Sequence, residues 1–518
     1  MGIPSYYKKL CDSVPGLLRT RFEGECTYLW IDFNCMVYHC LRRPGAIPYQ
    51  GEDTRAAWEA QFIESVCRYL EHVIAQVQPT EGVFIAVDGV VPMAKIRQQR
   101  LRRFKSPWVA AEELRLGKRE SGERWDTNAI TPGTAFMEAL GAALIGVTKP
   151  HPKWRVSTAA EPGEGEQKCM EALRALPVSK KCGHVVYGLD ADLIILSLLQ
   201  YRESRDITLF REAVECGEVQ YTDEGEEQYR FFSVSALADT LYRSSCSKAE
   251  RSVFLLNYCM TMSFLGNDFL PHGLTFTLRN GGHDALLQKL RDCGPLLDEN
   301  GWTAEGLTDI IGWLSAQEER WLRKSLDQGK RLRNAPPRGS GKEREYDEWF
   351  KTPQRRFEEE CLVAQWKDGE RAVLRSDWER VYDDRWLHGA STDNEKRAQK
   401  TYMEGLDWIF RYYTGKPISY EWMYPWHLPP TWASLRSTIP RPSPPPTPPL
   451  KPQEQLAIVL PRGSWYLVRD PILKTLPTRC PSLWPTTFGF QMAGKRAFWE
   501  CEALIPLFTP QRLRMLLR

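Results

Sequence analysis

Seven acidic residues, Asp32, Asp88, Glu164, Glu166, Asp190, Asp192 and Asp268, share one local setting. Each ends an apolar run or sits in a tight polar turn beside one, as in Tyr28-Leu-Trp-Ile-Asp32, Val83-Phe-Ile-Ala-Val-Asp88 and Val185-Val-Tyr-Gly-Leu-Asp190. Short β-branched and aromatic runs ending in aspartate read as buried parallel strands that carry a carboxylate to the rim of a sheet. In an open α/β sheet the site lies beyond the carboxyl ends of the strands. Carboxylates gathered at one place repel each other and are stable together mainly when divalent cations neutralise them. The set therefore predicts a magnesium-dependent phosphoryl-transfer site.

Each motif has a plainer reading beside this one. Asp190 and Asp192 are two apart, and on an extended strand they would point to the same side and hold or bridge metal ions. The alternative is a solvated turn, which the apolar flanks on both sides disfavour. In Glu161-Pro-Gly-Glu164-Gly-Glu166 the glycines allow close backbone approach. Acids at a helix start also serve as caps against the helix dipole, which explains one of these glutamates better than two. Asp268, after Phe-Leu-Gly-Asn, is by itself an ordinary cap and gains weight only from the other six.

Lys95 to Lys105 carries six positive charges in eleven residues. If this segment is helical, Lys95, Gln99, Arg102 and Arg103 share one face. Such a face, seven residues after Asp88, suits a terminal phosphate, because the planar guanidinium pairs two phosphate oxygens. A solvated basic face or a general nucleic-acid patch is the other reading. Tyr38 and the cluster Tyr420-Glu-Trp422-Met-Tyr-Pro-Trp-His427 supply rings that stack on unpaired bases or pack in a core.

These residues need elements to hold them. Residues 1–290 alternate strand-like and helix-like segments, predicting a mostly parallel sheet flanked by helices, with helices near 56–77 and 166–176, a strand at 83–88 and an apolar segment at 253–265. Residues 291–440 read as a largely helical second region rich in Arg, Lys, Glu and Trp, broken by a loop at 334–342. Residues 440–452 hold eight prolines in thirteen, an extended linker or, less simply, a ligand for an SH3 or WW domain. Residues 453–518 form a terminal segment expected to pack back on the core. The 518-residue chain is 42% hydrophobic with a net charge of only +3, so overall charge says little about a partner. The 14 cysteines include no Cys-x-x-Cys pair, which argues against a zinc ribbon and a disulfide framework. With no signal-peptide pattern and no apolar stretch of about 18 residues, the reading is an intracellular protein that does not enter membranes.

Taken in order, the motifs closely resemble the Xrn family of 5′→3′ exoribonucleases. The matching stretches are Met1-Gly-Ile-Pro4, Leu29-Trp-Ile-Asp-Phe-Asn34, Ala86-Val-Asp-Gly-Val-Val-Pro92, Ala94 to Phe104, Ile130-Thr-Pro-Gly-Thr134, Pro162-Gly-Glu-Gly-Glu166, Tyr187-Gly-Leu-Asp-Ala-Asp-Leu193 and Leu265 to His272. Tyr402 to Trp408, Tyr424-Pro425 and Gly494 to Trp499 follow. The resemblance implies a PIN- or flap-nuclease-like α/β core and a Mg²⁺ site of two ions, with Mn²⁺ able to substitute, made by the seven acids. It also implies a 5′-monophosphate pocket of Lys95, Gln99, Arg102 and Arg103, base stacking by Tyr38 and Trp422, and single-stranded RNA as substrate. Family members usually have His at Tyr38, a further acid at Ala160, His at Gln167 and a basic residue at Met93. Of a pair of tryptophans expected near 420–422, only Trp422 is kept. The chain lacks the zinc knuckle of nuclear relatives, which leans toward the cytoplasm, and reads as a minimal-core member. A flap-endonuclease-like nuclease and a silent RNA-binding scaffold are the competing readings.

Overall fold

The computed structural model describes all residues except 1, 2, 4, 180–181, 189, 204, 216–217, 352–359, 370 and 388–391. Most of the N-terminal Met1 to Pro4 motif and Leu189 thus lie outside the described residues. Seven strands form the central sheet: β1 (Leu18–Arg19), β2 (Tyr28–Asp32), β3 (Gly82–Ala86), β4 (Trp154–Ser157), β5 (His184–Tyr187), β6 (Ile207–Glu212) and β7 (Tyr229–Ser233). Their order is β1-β7-β6-β5-β2-β3-β4. The β6-β5-β2-β3-β4 block is parallel, and β7 and β1 add an antiparallel edge. This is the α/β fold with a mostly parallel sheet that the strand runs predict.

Helices cover both faces. On one face lie α2 (Asn34–Arg42), α3 (Arg55–Val77) and α5 (Ala135–Thr148), packed on Leu29, Ile31, Val185 and Phe210. On the other, α6 (Gly165–Arg174), α7 (Asp192–Arg202) and α9 (Arg251–Thr261) cover Trp30, Val186 and Leu209. Between α3 and α5 in the chain, α4 (Met93–Arg115) leaves the rim just after β3 and carries the basic segment. The strand-like alternation of Trp30 against Leu29 and Ile31 is what sends neighbouring residues to opposite layers.

The second region is helical as expected. It contains α11 (Ala304–Asn334) and α12 (Thr392–Thr414), the latter packing Tyr402, Met403, Leu406 and Ile409 into the same core as α7 and α9. The proline-rich segment is docked: Ser443 donates through its backbone N–H and its hydroxyl to Asp407 at 2.8 Å each, and Thr447 bridges to Ser419 and Glu421. Residues 456–460, in α13 (Pro452–Val459) and just after it, pack against α4 into the core that α3 and α5 share, and Arg100 donates to the carbonyls of Ile458 and Leu483. Among the described residues no helix is long and apolar enough to cross a membrane.

Candidate active site at the strand rim

The three aspartate runs end where the strands do. Asp32 closes β2, Asp88 follows β3 by two residues, and Asp190 lies in the turn between β5 and α7. The expected geometry of Asp190 and Asp192 is corrected here. They are not on one extended strand, because the chain turns after Tyr187 and Asp192 is the first residue of α7. Asp192 is buried while Asp190 is exposed.

The Glu164-Gly-Glu166 turn is fixed against the β3 rim by backbone bonds. Gly89 N–H donates to Gly163 O and Gly163 N–H to Val90 O, both at 2.8 Å. Gly163 has φ +109°, a conformation glycine adopts at little cost. Gly165 N–H then donates to Asp88 Oδ1 at 2.6 Å. A β carbon at Gly165 would lie 2.5 Å from Asp32 Oδ1 and 2.8 Å from Ala86 O, so the turn approaches as closely as it does only because position 165 lacks a side chain. Glu164 is the N-cap residue of α6 and Glu166 lies in its first turn. Lys168 Nζ secures this helix to the Val87 and Thr158 carbonyls at 2.8 and 3.0 Å.

The acids form one electrostatic neighbourhood. Burial, followed by Asp88, Asp190 and Glu164, raises Asp32 well above the usual carboxylate range. Burial pushes Asp88 up to about 6, against the pull of the Gly165 N–H. Burial and Asp268 push Asp192 up to about 7, and burial with Glu164 and Asp192 raises Glu166. Asp268 goes the other way: burial opposes its charge, but Lys95 beside it holds the carboxyl below its ordinary value. Buried like charges that raise one another's proton affinity are a donor set that fits hard divalent cations. Among the described residues, the trio of ligand atoms found within 4.8 Å of one another is His39, Glu212 and Glu227, not three of these acids.

The basic face is present but divided. Lys95 Nζ sits among the acids, 2.6 Å from both Glu164 Oε2 and Asp268 Oδ2. Gln99 meets Gln455 at 3.5 Å, and Gln455 also accepts from Val91 N–H. Arg103 is buried and donates to Thr131 Oγ1 at 2.6 Å, while Arg102 is exposed. Half-buried Tyr38 lies under Arg42 and beside Arg103. Trp422 departs from its expected place on a base: it is 5% exposed and stacks on Trp408 with centroids 5.1 Å apart, so its ring belongs to the core.

Sequence reasoning missed two tyrosines, Tyr412 and Tyr413, and named Tyr420 only as part of an aromatic cluster. Tyr412 donates to Glu164 Oε1 at 2.5 Å, Tyr413 lies beside Asp192 and Glu166, and half-buried Tyr420 lies beside Glu164. Tyr412 and Tyr413 come from α12, more than 140 residues beyond the last of the acids. The sole signal was the matched Tyr402 to Trp408 stretch on the same helix.

Two family models match the chain. The model of the XRN 5′-3′ exonuclease N-terminus matches residues 1–213, and that of the Xrn1 helical domain matches residues 343–518. The chain is 25% identical to 5′-3′ exoribonuclease 1 of Saccharomyces cerevisiae over 99% of its length, spanning 43% of that protein. It is 30% identical to 5′-3′ exoribonuclease 2 of Schizosaccharomyces pombe over 60% of its length and 36% of that relative. To 5′-3′ exoribonuclease 2 of Gallus gallus it is 25% identical over 99% of its length and 69% of that relative. The chain thus spans less than half of the two yeast relatives. With both family regions matched, and with six of the seven acids inside the first, the chain belongs to the Xrn family.

Proposed function

We propose that this chain is a divalent-cation-dependent 5′→3′ exoribonuclease that removes mononucleotides from 5′-monophosphorylated single-stranded RNA, in RNA decay or processing. The observation that supports it best is the gathering of seven mutually repelling acids near the strand ends, next to Lys95 of the basic helix α4. Asp32, Asp88, Glu164, Glu166, Asp190, Asp192 and Asp268 are the residues to hold magnesium, with manganese as a substitute. Bound ions of this class activate water and stabilise the leaving oxygen.

The protein's own groups do the positioning. Gly165 N–H fixes the Asp88 carboxylate, and Tyr412 fixes Glu164. Lys95 balances the charge of Glu164 and Asp268. Gln99, Arg102 and Arg103 lie further along α4 and present donors to the terminal phosphate. Arg103 is buried, is braced by Thr131 and lies beside Tyr38. A phosphate pocket built of few donors excludes larger 5′ groups on steric and charge grounds. In this reading Tyr38, beside Arg103, stacks on the first base.

The test compares RNAs with 5′-monophosphate, 5′-hydroxyl and 5′-triphosphate ends, with and without Mg²⁺. Mononucleotide release from the monophosphate alone is expected. Asp192→Asn should lower the rate by about 10²-fold or more while RNA stays bound. Arg102→Ala should instead erase the preference for phosphorylated ends. Internal cuts at a junction would favour a flap-type endonuclease, and binding without cleavage an RNA scaffold.

A further inference from the structure

Strand β6 ends as the aspartate strands do, in Ile207-Thr-Leu-Phe-Arg-Glu212, yet Glu212 does not join the seven acids. Side chains alternate along a strand, and Glu212 shares its face with Phe210, under α2 and α3, whereas Asp32 shares the opposite face with Trp30. There Glu212 meets His39 of α2 and Glu227 of the chain entering β7. One ligand atom from each of the three lies within 4.8 Å of the other two. Glu212 is 1% exposed and His39 8% exposed.

Counting donors shows what this cluster lacks. His39 Nε2 is 3.2 Å from Glu227 Oε1. Tyr69 Oη lies 2.8 Å from Glu212 Oε1 and 2.6 Å from Glu227 Oε2, and its single proton serves one of them at a time. Tyr187 donates to Glu212 Oε1 at 2.5 Å. Glu212 Oε2 is fully buried and has no partner. An ionised carboxylate oxygen left bare inside a protein is costly, and a hydrogen bond or a cation is what removes the cost. Arg43 lies 4.9 Å over the Tyr69 ring and acts on Glu227, and it has no hydrogen bond to Glu212 Oε2.

We propose that His39, Glu212 and Glu227 form a second divalent-cation site, separate from the strand-rim acids, that takes a zinc-class ion. One imidazole nitrogen with two carboxylates is a ligand set for borderline ions such as Zn²⁺ or Mn²⁺ rather than for an all-oxygen magnesium site. Binding exchanges the His39–Glu227 hydrogen bond for coordination by a neutral His39 nitrogen and one carboxylate oxygen each of Glu227 and Glu212. The site joins α2 to the β6–β7 edge. Since α2 begins two residues after Asp32 and carries Tyr38, the ion acts as a structural clamp on that helix.

The test uses the full chain with Asp190→Asn and Asp192→Asn, which weakens ion binding at the rim. The protein is stripped with chelator, incubated with Zn²⁺, gel-filtered and assayed for bound metal by mass spectrometry. Repetition with Co²⁺ gives a visible absorption band sensitive to imidazole ligation. One zinc per chain, a cobalt band and a zinc-dependent rise in Tm are expected. All three should disappear in His39→Gln and in Glu212→Gln, with affinity falling by about 100-fold or more. Glu212→Gln keeps the side-chain shape, so it reads the site even if His39→Gln fails to fold. Equal zinc in parent and Glu212→Gln overturns the proposal. So does a parent that retains no zinc, which would leave the cluster a hydrogen-bond network alone. Neither result touches the cleavage reading, which is scored on RNA.

Discussion

Tyr412 illustrates how much a single buried group can decide. Its hydroxyl donates to Glu164 Oε1 at 2.5 Å, and both side chains are buried. Removing the hydroxyl leaves a buried carboxylate oxygen without its donor, which costs about 1–3 kcal/mol. Tyr412→Phe should therefore lower Tm by several degrees in thermal unfolding without added ions, and slow mononucleotide release. Mg²⁺, by neutralising Glu164, should recover part of the lost Tm. A Tm loss that Mg²⁺ leaves unchanged would show that Tyr412 serves packing and not the carboxylate. The residue was hidden from sequence reasoning for a physical reason. A tyrosine on an apolar helix face reads as core, and here it is core with one polar atom turned to the site. The same limit applies to Trp422, which reads as a stacking platform from its aromatic neighbours but is closed over by Trp408.

At the scale of elements, the acids are placed by strand ends and by one glycine turn, and these were legible to different degrees. Runs ending in Asp32, Asp88 and Asp190 announce strands because buried parallel strands must be apolar on both faces. The helix 55–77 was legible because its apolar positions recur on one face. What the pattern does not carry is the turn after Tyr187, which moves Asp192 from a strand onto a helix start. It also does not say which face a strand-end acid takes, so Glu212 passed unnoticed although its run has the same form. The Gly163–Gly165 turn was legible as permissive backbone, and its consequence is now specific. A methyl group at position 165 would meet Asp32 Oδ1 at 2.5 Å and the Ala86 carbonyl at 2.8 Å, a backbone atom that cannot swing away. Gly165→Ala should force Glu164 and Glu166 off the β3 rim, costing about 1–3 kcal/mol of stability as overpacking does. Cleavage should fall by more than Tm alone explains, read as activity per folded molecule by circular dichroism and RNA turnover. Wild-type turnover in a folded Gly165→Ala protein would mean the close approach is not needed.

Over the whole molecule, distant segments are tied by buried polar groups, and Glu318 is the clearest. It lies on α11, is 8% exposed, and accepts the backbone N–H groups of Trp432 at 2.9 Å and Ala433 at 3.0 Å, joining helices 114 residues apart. Burial raises its pKa to about 8; the two N–H groups oppose the rise, and Glu379 and Asp383 add to it. In the unfolded chain an ordinary glutamate titrates near 4.5. Between about 4.5 and 8 the folded state thus holds a proton that the unfolded state has lost. The stability from this group is fully present below the lower value and falls as pH rises through the upper one. Glu318→Gln keeps the shape but offers one carbonyl for two N–H donors, so at low pH it should be less stable by about 1–2 kcal/mol. As pH rises through the window the wild type loses up to about 1.4 kcal/mol per unit, more in total than its advantage, so the two stabilities should converge and then cross. Denaturant unfolding of both proteins at pH 5, 6.5 and 8 measures this directly. A gap that stays constant across the three values would mean that Glu318 is ionised in the folded chain and holds α11 to residues 432–433 as a charged cap.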